Sequence, residues 1–537
     1  MLRYAFRLHR WGMIGLGVVL FAGVYAQAAA YSQVAGTTVA SRAAFAHAMG
    51  LTESQLSFFL PLPYRIDTLA GYVQWRAYGW LSVALMIWAI AAAAGAVRGN
   101  EDRQLVDYWL SAGVSRLRLV VSRLAAFALA ALVVVVAGGL GALIGAASSA
   151  PLDLGRLAGQ SLALWVLAVA FFALCCLIAQ FTASTRGAQA AGAAVLVVLY
   201  LLDVLARTQT SFDGLSWVSP FRWYDATNVL GPGGHLSGPG LLLCAAVILV
   251  AGGLAALAFR RRDLRGPLFG RPAAEVRSRG RKPSPLLSWP LARLLYRQRW
   301  ILAGWTLGIA VMAVLMVSIA PGSIDSLINL PGMRALLTHG QGGDPYRAFI
   351  ASYWFGLAPL LLAALAVHLV STWSADDTEG ILGSELSTPR HRWAVVLERG
   401  LLAVVGIAVA VAVGSLLAAV TAAGIGHTLD PAGVLRASWL LVPFALTFAA
   451  VGAAGGAFWP RAVVGVLGVV AFFSFLVWQL APLMKWPSSI ANLSVFQLYG
   501  SPLLSGVFWN GLWAMLAIVL AGFGLAAIQM QRREVDQ

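Results

Sequence analysis

The sequence predicts an all-α integral membrane protein whose twelve transmembrane helices form two parallel six-helix repeats. Of the 537 residues, 60% are hydrophobic and 11% are charged, whereas a soluble domain is about 45 to 50% apolar and about 25% charged. Twelve nearly charge-free apolar runs have the length of about 20 residues that a helix needs to cross the hydrocarbon core. Short strings of the first half also return, in the same order, in the second half.

The predicted spans follow one another along the whole chain. They cover residues 11–30, 77–97, 124–147, 157–180, 188–202, 239–259, 300–320, 351–373, 401–424, 437–456, 463–481 and 507–529. With alternating direction, 27 of the 37 Lys and Arg residues lie on one side. Because cytoplasmic loops carry the excess of basic residues, both termini are predicted to be cytoplasmic.

The first span is predicted to be a retained helix. Arginines before an apolar run that ends in small residues also describe a secretory signal. However, the same entry pattern, His9-Arg10-Trp11, returns in mid-chain as Gln298-Arg299-Trp300, where no signal can be cleaved.

The recurring strings indicate an internal duplication. The pairs are Pro63-Tyr64-Arg65 with Pro345-Tyr346-Arg347, Leu110-Ser111 with Leu386-Ser387, Ser219-Phe221-Tyr224 with Ser494-Phe496-Tyr499, and Arg261-Arg262-Asp263 with Arg532-Arg533-Glu534. An even number of helices returns each copy to its starting side, so the copies run parallel about an axis along the membrane normal, with a central path expected between them. The predicted domains are 1–265 and 291–537, joined by an Arg/Pro-rich cytoplasmic linker at 266–290.

The sequence lacks the residues that ATP hydrolysis, metal binding or ion-coupled transport would require. The two lysines, Lys282 and Lys485, both lack the preceding Gly of a phosphate-binding loop, so the chain is not expected to hydrolyse ATP by itself. The three cysteines lie in apolar runs without metal-ligand spacing. Ionisable residues inside spans mark ion-coupled carriers. Here the only candidates are Asp203, directly after the fifth predicted span, and His368, inside the eighth. Both are near the end of a helix, where water at the membrane interface can solvate them.

Two loops, each after the second span of a repeat, carry the strongest pattern. Residues 98–123 and 374–399 both show acidic residues, a short apolar stretch, Leu-Ser, a turn residue and spaced arginines. We interpret each as a short helix lying along the membrane surface, with arginine anchors, that can dock on a soluble partner. An ordinary basic cytoplasmic loop explains the arginines but not the repeated order.

This pattern resembles the coupling-helix region of ABC transporter permeases of the type-2 (type V) exporter class, in particular bacterial polyketide antibiotic exporter permeases. The resemblance covers almost the whole chain. It implies that the two loops contact a separate ATPase subunit through Glu101, Asp102, Arg103, Ser111, Arg116, Asp376, Asp377, Glu379, Gly380, Ser387, Pro389 and Arg392. Gln104 and Gly113 replace Gly380 and Pro389 in the first copy, so equal coupling of the two halves is not implied.

The same resemblance implies a function. The chain would be the permease subunit of an ATP-driven exporter in the bacterial plasma (inner) membrane, and it would expel hydrophobic or amphipathic compounds such as polyketide antibiotics. Two copies of the ATPase subunit would bind ATP and Mg. The chain itself would be no enzyme, hold no cofactor or metal and bind no nucleic acid.

Aromatic residues mark two further candidate sites. The resemblance implies short re-entrant helices at 207–239 and 482–506 that form an outer gate with Phe221, Tyr224, Phe496 and Tyr499. An aromatic belt at the membrane interface explains these residues equally well. The resemblance also implies an apolar substrate path lined by Met86, Trp88, Phe472, Phe473, Phe475 and Trp478, although packing in the core or against lipid explains any one of them.

Two other classes remain open at this point. A gradient-driven carrier of the major facilitator kind also has two parallel six-helix halves, but it is disfavoured by the scarcity of charge in the spans. A membrane enzyme requires convergent acidic or His residues at one face, and the sequence shows no such cluster.

Overall fold

A computed structural model describes residues 1–51, 61–147, 149–208, 213–264, 266–268, 288–321, 324, 344–378, 380–387, 391–427, 429–459, 462–483 and 486–532. Every regular element within these ranges is a helix, so the predicted all-α class is confirmed. The chain divides into two compact units, unit 1 (Met1–Gly280) and unit 2 (Arg281–Gln537).

Unit 1 contains ten helices in the described ranges. They are α1 (Leu2–Val34), α2 (Val39–Leu51), α3 (Leu69–Asp102), α4 (Leu105–Ser111), α5 (Arg116–Ala146), α6 (Leu154–Ile178), α7 (Thr185–Thr208), α8 (Asp213–Ser216), α9 (Pro220–Asp225) and α10 (Gly238–Arg261). Helix α3 includes two π-helical turns, Gln74–Tyr78 and Gly95–Gly99. Such turns often occur at functional sites, and the second overlaps the start of the first predicted loop, residues 98–123.

Unit 2 repeats this order over its described residues. Its helices are α11 (Pro290–Ser318), α12 (Pro345–Thr378), α13 (Ile381–Leu386), α14 (Arg392–Gly424), α15 (Pro431–Phe458), α16 (Val463–Leu483), α17 (Ser488–Ala491), α18 (Pro502–Ser505) and α19 (Trp509–Arg532). Across both units, eleven helices of the described ranges are long and apolar enough to cross a membrane, and the apolar part of α16 is a shorter twelfth. The prediction of about twelve membrane helices is confirmed.

Equivalent helices of the two units begin with the same capping chemistry. The Asp153 carboxylate accepts a hydrogen bond from the Arg156 amide (2.8 Å) at the start of α6. Asp430 caps α15 in the same way, with the Gly433 amide at 2.9 Å. An aspartate at this position satisfies amides that have no partner within the helix, and it fixes where each span enters.

The helices begin earlier than the predicted spans. Helix α1 already starts at Leu2 and α5 at Arg116, whereas the apolar runs begin at residues 11 and 124. Arginine is a good helix former whose long side chain keeps its charge in the polar zone. A span can therefore continue as a helix through its arginine-rich approach.

Close helix packing in unit 1 depends on glycine. A Cβ added at Gly141 of α5 would lie 2.3 Å from the Phe21 carbonyl oxygen of α1, and one at Gly145 would lie 2.5 Å from that of Tyr25. Small residues let membrane helices approach to backbone contact, where dispersion replaces the hydrophobic effect as the main attraction. These two glycines hold the first and third spans together.

Candidate functional site

The two loops predicted to dock a partner begin with the same backbone geometry. We call residues 98–123 loop 1 and residues 374–399 loop 2. In loop 1 the chain turns at Gln104, which has a left-handed conformation (φ 61°), and α4 follows. In loop 2, Gly380 has the same conformation (φ 76°) before α13. Glycine adopts it freely, whereas a residue with a Cβ is disfavoured by about 1–2 kcal/mol, so loop 1 is fixed by other contacts.

Matching buried clusters fix each loop helix on its unit. In unit 1, Val106 of α4 packs on residues of α5 and α10, and in unit 2, Leu382 of α13 packs on residues of α14 and α19. The clusters are Val106, Leu119, Val120, Ala256 and Phe259 in unit 1, and Leu382, Val395, Val396, Ala526 and Met530 in unit 2. Each loop helix is thereby joined to the third and sixth spans of its own unit.

A buried ion cluster strengthens this attachment in unit 1. Glu101 accepts hydrogen bonds from Arg98 (2.9 Å) and from both terminal nitrogens of Arg262. Arg262 Nε also donates to the Gln180 side chain (2.6 Å), and both arginines donate to the Gly266 carbonyl oxygen. Buried charges persist only when they are paired and hydrogen-bonded. These bonds join the end of α3, the end of α6 and the start of the linker.

Arg116 and Phe259 form a second anchor. The Arg116 guanidinium donates to the Phe259 carbonyl oxygen (2.6 Å) and the Arg262 carbonyl oxygen (2.9 Å) at the end of α10, where a helix leaves acceptors unpaired. The Phe259 ring centroid lies 5.1 to 5.7 Å from the guanidinium carbons of Arg116, Arg123 and Arg262. A ring face at this distance attracts cations.

The structure separates the predicted loop 1 residues into buried and exposed groups. Glu101 is buried, so it organises the loop from inside, and Arg116 is a structural anchor. Asp102, Arg103 and Ser111 are exposed. The exposed Tyr108 of α4, with 69% of its surface accessible, was not among the predicted contacts. It lies on the same short helix as Ser111.

The described part of loop 2 divides in the same way. Asp376 is buried and pairs with Arg297, which also lies 3.7 Å from Glu385. Asp377 and Arg392 are half-buried, and Gly380 and Ser387 are exposed. The predicted contacts Glu379 and Pro389 lie outside the described residues.

Sequence reasoning missed the partners of the buried loop acids. Arg98 and Arg262 pair with Glu101, Arg297 pairs with Asp376, and Gln180 accepts hydrogen bonds from both arginines of the unit 1 cluster. The only sequence signals were the spacing of three residues between Arg98 and Glu101, and the recurrence of Arg262 in the repeated Arg-Arg-acidic string.

The repeated S-x-F-x-x-Y segment makes the same hydrogen bonds in both units. Ser219 Oγ accepts from the Phe221 amide (3.3 Å) and donates to the Leu199 carbonyl oxygen (2.8 Å). Ser494 repeats both bonds with Phe496 and with Ser474, 20 residues upstream as in the first copy. The segment is therefore tied to the preceding span in each unit.

Tyrosine hydroxyls tie the same segments to further helices. Tyr224 donates to the Tyr78 carbonyl oxygen (3.2 Å) and accepts from Gln160 (3.1 Å), whereas Tyr499 donates to the Ala437 carbonyl oxygen (2.8 Å). Burial raises the pKa of both tyrosines well above the usual value near 10. Both hydroxyls therefore stay protonated and keep donating.

Charge distinguishes the two aromatic segments. In unit 1, Asp203 and Asp225 both pair with Arg207, and burial raises the pKa of Asp225. Asp203 is thus a buried ion-pair partner and not the interfacial polar group that its position predicted. The corresponding positions of unit 2 hold Trp478 and Gly500. Only one of the two segments carries this cluster.

The residues of the predicted substrate path occupy aromatic clusters. Met86 is completely buried, and the Trp88 ring lies 4.8 Å from that of Phe127. Phe475 and Trp478 pack against Phe496, with centroids 5.4 and 6.3 Å apart. Their part in a path stays a prediction, as does that of Phe472 and Phe473, whose rings lie 5.7 Å apart.

Comparison with known proteins gives the family. Residues 7–264 match the family described as ABC-2 family transporter protein. Residues 287–530 match the one described as Multidrug efflux system permease Rv1217c, C-terminal domain. Multidrug efflux system permease protein Rv1217c of Mycobacterium tuberculosis (strain ATCC 25618 / H37Rv) is 28% identical over 381 residues, which are 68% of this chain and 65% of that relative. Each unit thus matches a transporter family, and the predicted resemblance of the chain to the type-2 ABC exporter permeases is confirmed.

Proposed function

We propose that this chain is the permease subunit of an ATP-driven exporter, powered by two copies of a separate ATPase subunit that dock on loop 1 and loop 2. The matched construction of the loops carries the proposal. Each unit places a short helix after a left-handed residue and fixes it on a buried cluster. The ABC-2 permease family implies an ATPase partner, and neither lysine of this chain stands in a phosphate-binding loop.

Force from the partner would reach the spans through the loop helices. Val106 and Leu382 join α4 and α13 to the third and sixth spans of their units. In unit 1, the Arg116 hydrogen bonds to the end of α10 add a polar connection. Packed side chains transmit displacement because a dense core deforms little. A push on either loop helix would therefore move two spans as one body.

Exposed residues would make the contact with the ATPase. In loop 1 these are Asp102, Arg103, Tyr108 and Ser111, and in loop 2 we assign Gly380 and Ser387. Exposed aromatic and charged groups dominate the binding energy of many interfaces. Glu101, Asp376 and Arg116 would act indirectly, by holding the loops in shape.

The proposed substrate is a hydrophobic or amphipathic drug-like compound, including polyketide antibiotics. The printed name of the relative, a multidrug efflux permease, supports this class. The assigned path, which includes Met86, Trp88 and Phe472, consists of apolar and aromatic groups. Such walls bind apolar molecules with little discrimination of size.

The aromatic segments would form the outer gate. Phe221 and Phe496 are each only 2% exposed, and the Tyr224 and Tyr499 hydroxyls hold their segments to neighbouring helices. Opening would have to break these few hydrogen bonds. In this proposal both loops and both termini face the cytoplasm of a bacterial cell, as the positive-inside rule predicts, and the gate faces the outer side of its inner membrane.

Co-purification and transport test the proposal together. The chain is co-expressed with an ABC ATPase subunit, and ATP-dependent uptake of a fluorescent drug is measured in inverted vesicles. Charge reversal at Arg103 (Arg103→Glu) together with Tyr108→Ala should lower the bound ATPase from two copies to one and reduce transport at least tenfold. His47→Glu, on an exposed residue of α2 outside the loops and the gate segments, is the control and should change neither value.

Two results contradict the proposal. The first is a full complement of bound ATPase and normal transport in the loop 1 variant. The second is transport that survives ATP depletion but stops when the proton gradient is collapsed, since this describes a gradient-driven carrier.

A further inference from the structure

A cavity lies beneath the loop helix of unit 2. It is about 50 Å³ in volume, which corresponds to roughly three to five water molecules. Its walls are mainly apolar, with Leu382 of α13, Phe523 and Met530 among them, and its polar lining comes from Ser374, Asp377 and Arg399. Trp373 completes the wall next to Ser374.

Two hydrogen-bond donors of the cavity wall lack acceptors among the described residues. These are the indole N–H of Trp373 and the Nη2 group of Arg399, and both atoms are buried. A buried donor without an acceptor is strongly disfavoured, and in native structures it usually indicates a missing water or ligand. Both donors belong to side chains that line one small cavity, so the missing group is an acceptor.

Two residues that line the cavity correspond to longer side chains in unit 1. The left-handed residues Gln104 and Gly380 are 276 residues apart, and the same spacing relates Arg98 to Ser374. The helix caps Asp153 and Asp430 are 277 residues apart, which relates Gln180 to Ala457, another cavity residue. At these two positions unit 2 therefore leaves more space than unit 1.

The surrounding charge selects a neutral acceptor. Asp376, Asp377 and Glu385 lie within electrostatic reach of Arg399, together with Arg297. Three carboxylates already lie near the two guanidinium groups. A negatively charged ligand is therefore disfavoured, because like charges repel strongly at low dielectric. A cation would satisfy neither orphan donor. A carbonyl oxygen, flanked by carbon atoms that contact Phe523 and Met530, fits both the donors and the apolar wall.

We propose that this cavity binds the carbonyl end of a neutral, apolar small molecule such as a ketone, lactone or amide. The carbonyl oxygen accepts from Trp373 Nε1 or Arg399 Nη2, and the flanking carbons occupy the apolar wall. A carbonyl with its two neighbouring carbons has four heavy atoms, which matches the volume. Because Leu382 forms part of the wall, an occupant also contacts the loop 2 helix. The inference does not depend on the proposed ATPase, since the isolated chain contains the whole cavity.

The test uses the purified full chain labelled with 5-fluorotryptophan, and Trp373→Phe assigns the Trp373 fluorine signal. Titration with 2-heptanone should shift this signal in a saturable manner. Hexanoate and hexylamine, of similar length but charged, should shift it at concentrations at least tenfold higher or not at all. Trp354 is the internal control, because its buried indole N–H also lacks an acceptor among the described residues but does not line the cavity. Its signal should stay constant.

Two variants locate the binding groups. Arg399→Met removes one orphan donor and keeps an apolar stem, so 2-heptanone should bind at least fivefold more weakly. Ser374→Arg places the unit 1 residue in the cavity, and the shift should disappear. If the Ser374→Arg chain does not fold, Arg399→Met alone decides. An unmoved Trp373 signal, equal shifts of Trp373 and Trp354, or tighter binding of hexanoate than of 2-heptanone would overturn the proposal.

Discussion

Replacement of Glu101 by Gln is the most direct test of the ion cluster that holds loop 1. The carboxylate accepts from Arg98 Nη1 at 2.9 Å and from Arg262 Nη1 at 3.0 Å, and Arg262 Nη2 also donates to it. Both arginine side chains are at most 1% exposed. Removing one partner of a buried pair costs about 3–5 kcal/mol, because the remaining charge stays buried. Glutamine keeps one acceptor oxygen, so we expect the lower value, about 3 kcal/mol.

The cysteines provide an assay that reports on unit 1. Cys175, Cys176 and Cys244 are all buried and all lie in unit 1, so a thiol-reactive dye becomes fluorescent as this unit opens on heating. A domain of this size loses roughly 2–4 °C of melting temperature per kcal/mol. Glu101→Gln should therefore lower the melting temperature on the order of 10 °C.

Its neighbour supplies the control. Asp102 is exposed and accepts one hydrogen bond from Thr185 Oγ1 at 2.7 Å, so Asp102→Asn should change the stability by less than about 1 kcal/mol. A double variant shows how much of the lost stability comes from the unpaired arginine charge and how much from the lost hydrogen bonds. Adding Arg262→Met to Glu101→Gln removes one unpaired cation and should restore part of the loss. Equal melting temperatures of the Glu101→Gln and Asp102→Asn chains would refute the reasoning.

Three other predictions concern the packing and the aromatic segments. Tyr224→Phe removes two hydrogen bonds and Tyr499→Phe one, so circular dichroism melts should show losses of about 2 and about 1 kcal/mol. Gly141→Val places a side chain against a backbone oxygen and should destabilise unit 1 by about 3 kcal/mol or more in the thiol assay, whereas Gly15→Val, with open space around it, should not. Burial raises the pKa of Asp225 above its usual value, so the folded state binds this proton more tightly than the unfolded state. Stability should therefore fall as the pH rises through that raised pKa, and Asp225→Asn should flatten the fall in a series of melts that starts at acidic pH.

The membrane helices could be predicted from the sequence because lipid imposes a simple rule. Without water, every backbone amide needs a partner inside the segment, so a long apolar run has to be a helix. The arginine-rich approaches, such as Leu2 to Arg10 and Arg116 to Arg123, were placed outside the spans because they are charged. The structure continues both as helix, since composition marks where the apolar zone begins and not where the helix does.

The sequence indicated the short helices of the two loops, but not the burial of Glu101 and Asp376. Glu101 lies in a polar, charged stretch of sequence that predicts a solvent-exposed segment. Its partner Arg262 follows 161 residues later, and no local pattern connects the two. A single sequence cannot show which charged side chain turns inward, because the decision depends on a tertiary contact. The Ser219 and Ser494 hydrogen bonds depend on local geometry, and there the repeated string was a sufficient signal.

The two units therefore reach the same loop geometry by different means, and this difference bears on coupling. Under loop 1, Arg98 donates to Glu101 and to the Gln180 carbonyl oxygen, and Arg262 donates to the Gln180 side chain. The equivalents under loop 2, Ser374 and Ala457, leave a cavity with unsatisfied donors. A ligand that binds only the folded arrangement stabilises it by RT ln(1 + [L]/Kd). If the proposed ligand occupies this cavity, it stabilises loop 2, and we then expect the coupling of unit 2 to depend on ligand concentration.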